Sequence, residues 1–86
     1  PIENQFARLA SLSPNPASDE VLVRFEQAEG GVLEFRNLVG QVIRTETAFG
    51  GMGSQRVSVA DLADGIWLVT YQVDGVAVST KRLVIR

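Results

Sequence analysis

The stretch "IWLVTYQVDGVAVSTKRLVIR", residues 66–86, decides the fold. Trp67, Val69, Tyr71 and Val73 recur at every second position, the period that places side chains on one face of a β-strand. Ile66 and Leu68 make the opposite face apolar as well near its start, as in a strand with neighbours on both sides. Asp74 and Gly75 then form the dipeptide that most strongly signals a two-residue hairpin. The segment from Val76 to Arg86 is the returning strand, and the chain ends inside it.

Upstream the same period continues. "EVLVRFEQ" sets Val21, Val23 and Phe25 against Leu22, Arg24 and Glu26, and "AEGG" follows as a turn. "VLEFRNL" alternates Leu33 and Phe35 with Glu34 and Arg36, and "NLVGQ" turns tightly at Gly40. "QVIRTETAF" is the next strand, "GGMGS" at 50–54 a glycine-rich loop, and "QRVSV" a short strand through Val57 and Val59. With a short strand in "FARLASL", about seven strands at regular spacing predict an all-β domain, an immunoglobulin-like antiparallel β-sandwich. A small open barrel is the alternative, because strand number alone does not decide closure.

Composition narrows the chemistry. The 86 residues, 45% hydrophobic, suffice for one domain with a modest core. With no cysteine and no histidine, the chain lacks the usual ligands and nucleophiles of zinc and thiol chemistry. A net charge of −2 with basic residues dispersed along the chain argues against nucleic acid as a partner. No apolar run approaches the roughly 20 residues that span a bilayer, and "PIENQFARLASL" has no signal-peptide pattern. A first residue of Pro1 rather than methionine is expected of a module taken from a longer protein.

Individual residues carry weaker signals. Pro14 and Pro16 bracket Asn15 in "SLSPNPASDE", a stiff corner that ends an edge strand and aims the chain into "EVLVRF". Asn15, Ser18 or Asp19 is expected to close local side-chain turns there. Trp67 begins a late strand, where its indole N–H is placed to bond back to an upstream loop or to lie plainly in the core. Asp61 and Asp64 suit a turn, and the serines have no histidine to activate them, so an enzyme is not expected and no cofactor or metal is implied. Arg24, Arg36, Arg44 and Arg56 are expected to pair with Glu26, Glu34 or Glu46 on a solvated face. Lys81 and Arg82 sit in the terminal strand, where charges discourage edge-to-edge association.

The order of these pieces, "SPNPASDEVLV", "NLVGQVI", "VSVADLADGIWLVTYQVDG" and "STKRLVIR", resembles the type A C-terminal sorting domain of the type IX (Por) secretion system, from about Ser11 to Arg86. Pro14, Asn15 and Pro16 correspond to that family's Pro-Asn-Pro corner. Gly40 and Val42 fall in its glycine turn, Leu62, Gly65 and Trp67 in its L-x-x-G-x-Y motif, and Lys81, Leu83, Val84 and Ile85 in its closing strand. Ser13 stands where an aromatic or aliphatic residue is commoner, and Trp67 replaces the usual tyrosine.

The resemblance implies a non-catalytic secretion signal, residues 11–86, joined to an N-terminal cargo domain through a linker and cleavage region, residues 1–10. Such a domain passes through the periplasm and is recognised by the outer-membrane translocon and its shuttle component. It ends at the cell surface or outside the cell, usually removed there by a sortase-like peptidase. Lys81, Arg82, Leu83, Val84, Ile85 and Arg86 would form the recognised strand, through main-chain edge groups and the two charges. Edge pairing of that strand would also permit a dimer. Two other readings compete with this one. An adhesive or carbohydrate-binding module requires Trp67, Tyr71 and Phe49 exposed together, with Trp67 and Tyr71 instead expected in the core, and a spacer domain requires no partner.

Overall fold

Seven antiparallel strands run through residues 8–26, 30–49 and 53–86, those described in the computed structural model. They are β1 (Arg8–Ser13), β2 (Glu20–Glu26), β3 (Gly31–Arg36), β4 (Val42–Ala48), β5 (Ser54–Ser58), β6 (Gly65–Val73) and β7 (Val76–Ile85). One sheet has the order β1-β2-β5 and the other β4-β3-β6-β7. The chain crosses between sheets after β2, β4 and β5, so that β2–β5 and β3–β6 interlock as in an immunoglobulin-like sandwich.

The alternation read from the sequence is the alternation that packs. Val21, Val23 and Phe25 of β2 meet Leu33 and Phe35 of β3 and Trp67, Val69, Tyr71 and Val73 of β6 in one core. Phe25 and Tyr71 touch across the sheets edge to face, ring centroids 5.0 Å apart at 62°, an arrangement the ring quadrupoles favour. The Tyr71 hydroxyl reaches out of this core to donate to the Gly30 carbonyl at 2.7 Å. β6 lies between β3 and β7, with its Trp67–Val73 face in the core and Ile66 on the other face 41% exposed.

Turn chemistry sets the registers. Asp74 and Gly75 both have positive φ, 54° and 78°, the pair a tight hairpin turn needs, and Val73 pairs with Val76 across it. Gly31 is required for a different reason: a Cβ there would lie 2.0 Å from the Gln72 carbonyl oxygen, where β3 and β6 approach.

Boundaries differ from the sequence reading in three places. β1 takes in Arg8, Leu9 and Ala10, and Leu9 is 2% exposed, so the folded unit reaches into the segment assigned to the linker. β3 stops at Arg36 because Asn37 begins the turn. Ser54 belongs to β5, and the Gly53 carbonyl already accepts from the Phe25 N–H at 2.9 Å. The rest of the glycine loop, 50–52, and residues 27–29 of the "EQAEG" segment lie outside the described residues.

Both outer strands of the four-stranded sheet are edges, and side chains from beyond the sheet close part of each. On β4, Gln55 donates to the Thr47 carbonyl at 2.7 Å and accepts from the Phe49 N–H at 3.3 Å. Arg44 seals the same side: its guanidinium lies 5.1 Å from the Phe35 ring centroid, pairs with Asp61 at 2.5 Å and with Glu46 at 3.2 Å, and donates to the Ser58 carbonyl. Arg36 pairs with Glu34 on its own strand and Arg56 with Glu20 on the neighbouring one, so only part of the expected pairing is realised.

Candidate functional site

Strand direction brings the singled-out motifs to one end of the sandwich. β1 ends and β2 begins at the Pro14–Asp19 corner, and Glu20 pairs with Ser58 at the close of β5. Arg36 pairs with both Val42 and Leu68, and Gly65 with Ile85, which adds the Gly40 turn, the Leu62–Trp67 loop and the chain's last residues.

The corner works through its asparagine. Prolines 14 and 16 have no N–H to offer, and both the Ser13–Pro14 and Asn15–Pro16 peptide bonds are cis. The Asn15 amide closes no local turn, contrary to the sequence expectation. Its nitrogen donates to the Arg82 carbonyl at 3.0 Å and its oxygen accepts from the Val84 N–H at 2.9 Å. A primary amide carries a donor and an acceptor side by side, as a strand residue does, so Asn15 substitutes for a missing neighbour of β7. Ala17, fully buried, continues the pairing: its N–H donates to the Val84 carbonyl at 2.8 Å, and its carbonyl accepts from Arg86 at 2.9 Å. Asp19 ties the same corner to the other sheet edge, its carbonyl accepting from Val59 at 2.8 Å.

The two other motif elements are equally constrained. The Asn37 side-chain oxygen accepts from Val39 and Gln41 at 3.1 and 3.0 Å, and Arg36 donates to the Gly40 carbonyl at 3.1 Å. Gly40 itself has φ 91°. This turn holds Leu38 and Val39 out at 65% and 81% exposure, beside a groove of about 580 Å³ whose lining includes Ile43, Ile66 and Trp67. In the following loop Leu62 is buried and Gly65 has φ 140°. Trp67 combines both roles considered for it, with its ring in the core and its indole N–H donating to the Ala63 carbonyl at 2.9 Å. Asp61 is engaged by Arg44, and Asp64 is exposed.

β7 sorts its residues by face. Leu83 and Ile85 point into the core and are held there, Val84 is half-buried on the outer face, and Arg82 and Arg86 are exposed. Lys81 is half-buried. The ion pairs among the described residues use neither Lys81 nor Arg82. Sequence reasoning missed the Asn15 clamp and its counterpart at Gln55, since neither contact leaves a periodic trace; an asparagine pinned between two prolines was the one available hint.

A family model, the secretion system C-terminal sorting domain, matches residues 11–86. The chain belongs to that family. No curated protein matches it, and no solved structure does. As a sorting domain it is a C-terminal signal for type IX secretion, which directs export toward the cell surface or the extracellular space and works with the type IX machinery as the C-terminal part of a cargo protein. Tyr71 is fully buried and Trp67 nearly so, while Phe49 is 57% exposed. The three therefore form no stacking platform.

Proposed function

We propose that this sorting domain is a non-catalytic signal read as a folded surface around β7, with Lys81 and Arg82 supplying its charge and Lys81–Arg86 its strand. The observation that carries the reading is the Asn15 clamp, which fixes the end of β7 beside two cations that enter no ion pair among the described residues. A rigid strand presents charges at low entropic cost to a binding partner. Leu83 and Ile85 contribute by anchoring the strand in the core rather than by contact, and Val84 and Arg86 by pairing with the corner. The Pro14–Pro16 corner is scaffold.

In this reading the domain transits the periplasm, is taken up by the translocon and its shuttle component, and is cut from its cargo by a sortase-like peptidase within the segment upstream of β1. A peptidase needs unpaired backbone, and β1 is paired to β2. The test fuses residues 1–86 to a periplasm-targeted fluorescent reporter in a bacterium with a working type IX system and in a translocon-deficient strain. Reporter at the surface or in the medium of the competent strain alone is the expected result; intact fusion retained in the periplasm of both strains refutes the proposal.

A further inference from the structure

Among the described residues, part of the outer edge of β7 has no hydrogen-bond partner, and we infer that it is a docking strip for an extended acidic peptide segment, added as a short strand beside Thr80–Arg82. The inference rests on the proposed reading of β7 as the recognised surface and names the chemistry of what reads it.

The main chain sets the strip's limits. Val84 directs both its N–H and its C=O outward, to Asn15 and Ala17. In an antiparallel strand these directions alternate, so Arg82 and Thr80 also face outward, while Lys81 and Leu83 bond to their partners Val69 and Trp67 of β6. The Arg82 carbonyl is taken by Asn15, which leaves the Arg82 N–H and both main-chain groups of Thr80 without a partner among the described residues. Towards the hairpin, the register shift between Tyr71 and Gln72 is a bulge that turns the edge away. The clamp on one side and the bulge on the other limit the strip to about four extended residues.

Charge names the occupant. Lys81 and Arg82 are adjacent, hence on opposite faces of the strand, and neither enters an ion pair among the described residues. Two consecutive carboxylates on an added strand also point to opposite faces, so one meets Lys81 and the next Arg82. A basic or uncharged segment gains only the hydrogen bonds. A phosphate group can meet the charges and accept from the N–H groups, but it has no donor for the Thr80 carbonyl, which is an acceptor.

The test uses the 86-residue chain, labelled with nitrogen-15, and a capped hexapeptide of threonine, valine, aspartate, glutamate, valine and threonine. The amide signals of Thr80 and Arg82 are expected to shift saturably, with that of Val84 held by its clamp. A peptide with lysines for the two acids, and one N-methylated on the edge facing the domain, are expected to produce no such shift. Lys81→Gln with Arg82→Gln should weaken binding about fivefold or more, the unchanged Leu83 signal reporting an intact fold. Equal binding of the lysine or N-methylated peptide overturns the inference, as do the same shifts with inorganic phosphate or shifts confined to another surface. The reporter fusion separates the two ideas: export without peptide binding removes the strip alone, and peptide binding without export removes the sorting reading while the strip stands.

Discussion

The side-chain nitrogen of Asn15 donates to the main-chain carbonyl of Arg82 at 3.0 Å, across 67 residues of sequence. With the companion bond from Val84, one amide closes the end of a sheet edge that would otherwise invite another strand. The same solution recurs at Gln55 on the other edge, so this sandwich blunts both edges of its larger sheet with side-chain amides, one from the β1–β2 corner and one from β5.

Asn15→Ala removes both bonds but leaves Val84 and Arg82 open to water, so it should cost about 1–2 kcal/mol in urea denaturation. Asn15→Asp should cost more, because an acceptor then faces the Arg82 carbonyl. An alanine variant less stable than the aspartate variant contradicts the donor assignment.

Replacing Pro14 and Pro16 with alanine should lower the melting temperature, because the unfolded chain gains conformational freedom that folding must then remove. Export in the reporter assay should fall only as far as stability does. Loss of export at unchanged melting temperature shows that the corner is itself read.

Lys81→Ala with Arg82→Ala should leave stability within about 0.5 kcal/mol of the parent, since neither side chain belongs to the buried core or to an ion pair among the described residues. Secretion of the fusion should nevertheless stop. Normal secretion by this variant would falsify the role given to the two cations.

Gly31→Ala should destabilise the domain by about 3 kcal/mol or more, combining a clash with the Gln72 carbonyl and a positive φ of 114°. Thermal melts of the two proteins decide this; a loss below about 1 kcal/mol means that β3 and β6 separate more readily than their register suggests.

Trp67 is the single tryptophan, so its fluorescence reports one site. A soluble quencher should act on it weakly in the folded domain and strongly after unfolding, and Trp67→Phe should cost about 1–2 kcal/mol through the lost bond to Ala63. Strong quenching of the native protein revives the aromatic-platform reading.

Much of the fold was legible in individual residues. The alternation of Trp67, Val69, Tyr71 and Val73 announced a core face, because a strand turns successive side chains to opposite sides whatever its neighbours are. Asp74 and Gly75 announced their hairpin because few residues accept positive φ. The candidate site was legible in its parts, the corner, the Gly40 turn, the L-x-x-G-x-W loop and the basic terminal strand, and in their order along the chain.

What joined those parts was not legible. That Asn15 lies on β7 rather than in its own turn depends on two sheets stacking so that β1 and β7 fall on the same side, and side-chain hydrogen bonds over 67 residues have no period to detect. Lys81 and Leu83 look alike as members of one apolar and basic strand; packing alone decided that Leu83 anchors it and Lys81 stays near the surface. The sequence by itself determined an all-β domain, the faces of its strands and its family. The tertiary structure decided which edge groups of the terminal strand are already satisfied, because that depends on which distant residues the sandwich brings within hydrogen-bonding distance.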